Sequence, residues 1–238
     1  MATNYNPKTN NNGLVLCLDA ANPKSYSGSG STFTDISKTK INATITGTTY
    51  DSSAKAFTFA SSSDYITTGT SYVNTGGEIG NGDIAYTIEA LVKIDGESLL
   101  GTNILSDGSS IIGQNNAGGI GLQVYKPASG RKFNFGARSN DNFDSNSTFQ
   151  LGVWYHVVAT REVGVNNYIY INGVEDATYT SAQLDVNSTV TTMRMGYAPG
   201  RIVQPLDGQI ALVRLYNTHF TPEQVKINYN AVRGRFGL

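Results

Sequence analysis

The sequence predicts an all-β fold, a sandwich or jelly roll, with one helix at its C-terminal end. Three observations predict it. Short apolar or alternating runs recur along the chain between turns rich in Gly, Asn and Ser, with no helical patterns between them. Asn172-Gly173 separates two alternating runs and is a strong hairpin signal, because a type I′ turn needs positive φ at both central residues. Clear helix start signals occur once, after Thr221.

Taken in order, Met1 to Gly13 is polar, Asn-rich and without periodicity, an arm expected to order only when something binds it. Leu14 to Asp19 is a continuous apolar run of strand length, suited to burial on both faces. The loop through Asn22-Pro23 and Ser27 to Ser31 leads into a stretch, Thr32 to Tyr50, whose sparse apolar residues suggest edge structure. Alternation returns at Lys55 to Phe59 and Tyr65 to Thr67, and is clearest from Tyr86 to Ile94. There Tyr86, Ile88, Ala90, Val92 and Ile94 face one way and Thr87, Glu89, Leu91 and Lys93 the other. Further strands are expected at Asn103 to Ser106, Gly119 to Tyr125 and Arg131 to Gly136, with a polar loop from Ser139 to Ser147. Trp154 to Thr160, Tyr168 to Val174 and Val190 to Gly196 complete the centre, and Gln209 to Tyr216 is the last strand.

The helix is signposted at both ends. Thr221 and Gln224 have capping-box spacing, Pro222 stands at the first helical position, and Phe220 can staple to Val225. Val225, Tyr229 and Val232 repeat at helical spacing, with Gly234 as the expected stop. The organisation read from this is an arm over 1–13, a sandwich over 14–220, and a helix and tail over 221–238 packed on the sandwich.

Composition narrows the function classes. Lys+Arg is 17 against 18 Asp+Glu, so no long-range field draws in nucleic acid or an anionic membrane. No run approaches membrane-spanning length, so no membrane insertion is expected. The single Cys17 leaves no disulfide framework or cysteine zinc site, and its apolar neighbours mark a buried thiol. The N-terminus shows neither the basic nor the apolar segment of a secretion signal, so synthesis in a cytoplasm is expected. The Asn-x-Thr sequons at Asn42, Asn146 and Asn187 are those that chance provides in an Asn- and Thr-rich chain.

An ordered set of anchors resembles the laminin-G-like, concanavalin A-like lectin/glucanase superfamily. It comprises Gly13 to Ala20, Phe33-Thr34-Asp35-Ile36-Ser37, Phe57-Thr58-Phe59, Ser63-Asp64-Tyr65-Ile66, Tyr86 to Ala90, Trp154 to Val158, Tyr168 to Gly173 and the stretch from Pro205. The opening from Leu14 to Tyr26 and the ending from Asn228 to Gly237 are similar to phage versions of the domain, which are commonly virion structural components. The resemblance implies a two-sheet antiparallel jelly roll with its first and last strands close together.

Glucanases of that superfamily use two carboxylates projected from one strand, normally as Glu-x-Asp-x-x-Glu. Glu89 instead stands alone before Ala90-Leu91-Val92, so no enzyme is expected. His156 reads as a hydrogen-bonded structural residue, and His219 is distant in sequence. Calcium is the cofactor the resemblance allows, with Asp64 matching a family carboxylate and Asp207 in the turn before the last strand. Both also suit Asx-turns, and Ala211-Leu212 stand where the family often has acidic residues. For a glycan, Tyr72, Phe143 and Tyr197 with Asn140, Asp141, Asn142 and Arg201 offer loop aromatics beside planar polar groups. For protein contact, the last strand is apolar on both faces: Ile210 and Leu212 on one, Ala211, Val213 and Leu215 on the other. The helix can cover the second face, and what it leaves, with Tyr5 in the arm and Phe236 in the tail, would meet a neighbour.

The expectation is a non-enzymatic phage virion structural protein, a capsid decoration or tail component in contact with other virion proteins and with further copies of itself. The alternative is an attachment module for host surface polysaccharide, and a weaker one a glycan-degrading enzyme.

Overall fold

The computed structural model describes residues 8–69, 84–97, 100, 109–113, 120–137, 142–180, 192–197 and 204–238. Its strands in chain order are β1 (Leu14–Asp19), β2 (Thr32–Phe33), β3 (Ala43–Thr46), β4 (Thr49–Asp51), β5 (Ala56–Phe59), β6 (Tyr65–Thr68), β7 (Tyr86–Ile94) and β8 (Ser109–Gly113). These are followed by β9 (Ile120–Tyr125), β10 (Lys132–Ala137), β11 (Asn142–Asp144), β12 (Trp154–Arg161), β13 (Asn167–Ile171), β14 (Val174–Tyr179), β15 (Arg194–Met195) and β16 (Gly208–Tyr216). The helix α1 (Pro222–Phe236) follows.

Two antiparallel sheets form a sandwich. The first runs β14-β13-β12-β7-β16-β5-β4 with β1 beside β16, and the second runs β11-β10-β9-β8-β15-β6-β3-β2. The sparse stretch after Thr32 supplies β2 at the edge of the second sheet, with β3 beside it, and β4 at the edge of the first. β16 is the central strand of the first sheet. It pairs with β7 along one side, and its other side is shared by β5 at Gly208–Ile210 and β1 at Leu212–Tyr216. The first and last strands are therefore neighbours, as the resemblance implied.

Alternation decides what fills the interior. Tyr86, Ile88, Ala90, Val92 and Ile94 of β7 meet Ile120, Leu122, Val124, Phe133 and Phe135 of the facing sheet in one buried core. Tyr26, Phe33, Tyr50 and Phe57 close one end of it in edge-on or tilted contacts. Asp35, fully buried, accepts the N–H groups of Cys17, Ser37 and Ile41 and so fixes the loop after β2 against β1.

β16 departs from the expected phase. A β-bulge lies between Ile210 and Leu212 in the pairing with β7. Beyond it the pattern shifts by one residue, so Ile210, Val213 and Leu215 all enter the sandwich core. Ala211 and Leu212 both turn to the outer face, where they pack with Leu91, Ala56 and Val232 of α1. Ala211, Val213 and Leu215 are each at most 1% exposed and thus offer no surface to a neighbour. Phe236 is also engaged within the chain, with its ring 4.8 Å from that of Trp154. Tyr5 lies outside the described residues.

The helix starts as its sequence specifies. Thr221 accepts the Gln224 N–H through its side chain, and Gln224 Oε1 accepts the Thr221 N–H at 2.9 Å. Phe220 and Val225 share an apolar cluster with Tyr216 and Val158. Its end differs: Gly234 lies within the helix, and Gly237, with φ of 71°, is the left-handed cap. The arm differs too over its described part, because Asn10 donates its N–H to Asn228 Oδ1 of α1 at 2.7 Å. That portion is ordered by the chain itself. No helix among the described residues is long and apolar enough to cross a membrane.

The turn after β13 has positive φ at both central residues, 52° at Asn172 and 76° at Gly173. A Cβ on Gly173 would lie 2.8 Å from the Tyr229 ring, so this position is constrained by conformation and by packing. Gly173→Ala is expected to lower unfolding free energy by about 2 kcal/mol or more, read as a lower urea midpoint with unchanged slope.

Candidate functional site

The two outer faces of the sandwich are built differently. That of the first sheet lies under α1 and centres on Glu89 of β7, which is 0% exposed. Arg214 is its register partner on β16 and donates from Nη1 to Oε1 at 2.9 Å. His156 Nε2 reaches the same oxygen at 3.0 Å. Tyr216 OH donates to Oε2 at 2.8 Å, and Asn228 Nδ2 donates to it at 2.7 Å. Burial pushes this carboxyl up, but the Arg214 charge and the bonds from His156 and Tyr216 outweigh it and hold it down at about 2. Four donors saturate both oxygens, and Cys17, Tyr229 and α1 close the space around them. Glu89 and His156 are both 0% exposed within this network.

The metal candidates serve turns. Asp64 Oδ2 accepts the Ala60 N–H at 2.9 Å, closing the turn into β6. The Asp207 carbonyl accepts the N–H groups of Asp95 and Gly96, while its carboxylate sits where a Cβ on Gly96 would have to go. Burial first, and then the charge of Asp95, pushes the Asp207 carboxyl up. Among the described residues no three Asp, Glu, His or Cys side chains converge to hold a metal ion.

The outer face of the second sheet is polar. Core positions on β9, β10 and β11 are Leu122, Val124, Phe133, Phe135 and Phe143, and Met193 and Met195 flank Arg194 at β15, so the residues between them point to the other face of the sheet. Strand register sets these in two adjacent rows. One runs Asp144, Asn134, Gln123, Ser110 across β11, β10, β9 and β8. The other runs Asn142, Gly136, Gly121, Gly113, Arg194, Thr67 from β11 to β6. Three consecutive strands therefore present a floor without side chains. A Cβ on Gly121 would meet its nearest atom, Gln123 Nε2, at an ordinary 3.4 Å, and neither Gly113 nor Gly121 has positive φ. Among the described neighbours, neither packing nor conformation requires glycine at position 121.

The groups around this floor are prepared for hydrogen bonding. Asn134 Nδ2 donates to Asp144 Oδ1 at 2.8 Å and to Asn142 Oδ1 at 3.2 Å, and Tyr125 OH donates to Asp144 Oδ2 at 2.6 Å. Arg194 lies over the Tyr65 ring, 4.8 Å from its centre. The hydroxyls of Ser110 and Thr67, one in each row, are buried without a hydrogen-bond partner. Orphaned buried hydroxyls are costly, and here two flank the glycine row, whose neighbours Ser110, Gln123 and Asn134 are buried.

Of the expected ligand residues, Asn142 is half-buried in the row described, and Tyr197, also half-buried, follows β15. Phe143 is not a loop aromatic but a β11 residue, stacked on Tyr179 at 5.4 Å and edge-on to Phe135. Tyr72, Asn140, Asp141 and Arg201 lie outside the described residues. Sequence reading missed Asn134, Gln123, Ser110 and the glycine row. The alternation on each strand marks them as outward, but only register brings them together.

The pH dependence of stability follows from Glu89. Its folded value lies below the ordinary 4.5, so its contribution is full above that pH and is lost as pH falls through the range from 4.5 to about 2. Glu89→Gln is expected to cost about 3–5 kcal/mol at pH 7, because Arg214 is left buried without a counter-charge. The gap between the two melting temperatures is expected to narrow as pH drops from 5 toward 2, checked by thermal melts across that range.

Comparison with known proteins agrees with this architecture. No curated protein matches the sequence. Among solved structures, the binding domain of Botulinum Neurotoxin DC in complex with SialylT superposes with a TM-score of 0.64 at 17% identity, over 93% of this chain and 52% of that one. Domain 4 of AbnA, a GH43 extracellular arabinanase from Geobacillus stearothermophilus in complex with arabinotriose, gives 0.61 at 17%, over 90% and 96%. Trypanosoma rangeli sialidase gives 0.63 at 16%, over 91% and 32%. The chain thus spans about half of the toxin domain and a third of the sialidase, and these likenesses speak for the fold. Residues 60–226, well over half of the chain, match the family Laminin_G_3, and the protein belongs to that family of the Concanavalin A-like lectin/glucanases superfamily.

Proposed function

We propose that the protein is a carbohydrate-binding module without catalytic activity, and that it binds glycan on the outer face of the second sheet. The observation that carries this reading is the glycine row Gly113, Gly121, Gly136 flanked by planar amides, a carboxylate and the orphaned Ser110 and Thr67 hydroxyls. A sugar ring is flat enough to lie on such a floor, and its hydroxyls both donate and accept. Asp144, Asn142 and the Asn134 amide oxygen can take hydroxyl protons, while Arg194 and the amide of Gln123 can donate. The fold is shared with an arabinanase domain solved with arabinotriose and a toxin binding domain solved with SialylT, which supports this class of ligand.

Action through apolar protein contacts has less behind it, since Ala211, Val213 and Leu215 are spent inside the molecule. The phage-like ends are spent there as well: Asn228 binds Glu89, and Arg235 donates twice to Asp19, at 3.1 and 3.0 Å. Their similarity to phage versions of the domain still favours a virion as the place of action, with host surface polysaccharide as the ligand. Contacts with other virion proteins or further copies would then use other surfaces. The non-catalytic reading is supported by Asp144, the carboxylate beside the glycine floor, being engaged by Tyr125 and Asn134.

Gly121→Val suits a strand, brings its Cβ into ordinary contact with its described neighbours and adds bulk to the glycine row. It is expected to keep the parent melting temperature within about 3 °C and weaken glycan binding at least about tenfold. A screen including arabinotriose and sialylated oligosaccharides, followed by calorimetry, would measure it. Absence of binding by the parent, or equal binding by Gly121→Val, overturns the assignment.

A further inference from the structure

On the opposite side of the molecule, a cavity of about 220 Å³ opens where β13 and β14 meet the start of α1. Its walls are Tyr168 and Tyr170 of β13, Glu175 of β14, Glu162 just after β12, and the His219-to-Pro222 segment leading into the helix. Two independent features point to a ligand. The first is chemical: an aromatic and apolar wall, with Phe220 and Pro222, is combined with two carboxylates. The second is Tyr170, which is only 2% exposed yet lines the cavity and makes no hydrogen bond through its hydroxyl to a described residue. A phenol held in the wall with no protein partner leaves its oxygen as an acceptor for a bound donor.

We propose that this cavity binds a primary ammonium group carried on a linear aliphatic stem, as in a lysine side chain. The ammonium has three protons to donate, and the available acceptors are the Tyr170 hydroxyl oxygen, Glu162 and Glu175. Glu162 Oε2 accepts from Tyr168 OH at 3.2 Å, and Glu175 Oε1 accepts from Thr178 Oγ1 at 2.6 Å, so each carboxylate keeps its second oxygen for the ligand. His219 Nε2 stands 3.9 Å from Glu162 Oε1, too far for a hydrogen bond. Burial, and next the charge of Glu175, keep the Tyr170 phenol protonated. Its oxygen is therefore a neutral acceptor with the charges of Glu162, Glu175 and Glu223 around it, a field that favours a cation. The tyrosine faces, Phe220 and Pro222 match a methylene stem rather than the wet shell of a metal ion.

The test titrates the 238-residue protein with Nα-acetyl-lysine amide, its neutral isostere Nα-acetyl-norleucine amide, glucosamine and calcium chloride, followed by NMR. Saturable binding of the lysine compound alone is expected, weakened about tenfold in Tyr170→Phe, Glu162→Gln and Glu175→Gln. The Gly121→Val protein is expected to bind it as the parent does, which separates this site from the glycan face. Failure of the lysine compound to bind, or equal binding of the norleucine compound, overturns the proposal. Glucosamine binding as tightly overturns the linear stem, and calcium displacing the lysine compound overturns the organic cation. Retained affinity in Tyr170→Phe removes the role given to the phenol.

Discussion

A single buried carboxylate ties this molecule together. Glu89 collects donors from β12, β16 and α1, and Asn228, one of those donors, passes the connection on to the N-terminal arm. An ionised group out of water is stable only if every lone pair is met, so the helix must dock in one place and one rotation. A purely apolar contact would tolerate sliding by a turn. This one does not, because Asn228 and Tyr216 have to reach the same oxygen.

The constraint settles the division of labour between the two sheets. Once α1 covers the outer face of the first sheet, its polar residues work as internal ties. The second sheet carries no helix among the described residues, and its outward positions remain amides, hydroxyls, Asp144 and glycines. The bulge at β16 serves the same end. By turning both Ala211 and Leu212 outward, it gives α1 an apolar seat beside the Glu89 cluster, while Val213 and Leu215 return to the core. Two-faced apolarity in this strand thus reflects two internal partners.

Much of the fold was legible because its signals are local. The span from Leu14 to Asp19 and that from Tyr86 to Ile94 appear as strands at the same residues. Edge strands were seen in outline, but β11 was read as loop, since Asn142-Phe143-Asp144 offers one apolar residue and owes its strand to pairing with β10. The candidate binding face was hardly legible. Asn134, Gln123 and Ser110 are unremarkable polar residues on three strands, and no spacing along the chain reveals that hydrogen-bond register sets them side by side.

By itself the sequence determined what depends on a few neighbouring residues: period-two alternation, positive φ at Asn172-Gly173, and reciprocal capping by Thr221 and Gln224. These are fixed by steric limits and short-range hydrogen bonds, which the residues carry with them. Only the tertiary structure decided the phase of β16 past Ala211, the four partners of Glu89, and the run of α1 beyond Gly234 to Gly237. Each turns on groups distant along the chain that meet only after strands have paired. An exposed helical glycine costs about 1 kcal/mol, which docking of the surrounding helix can offset, so local propensity did not set that boundary.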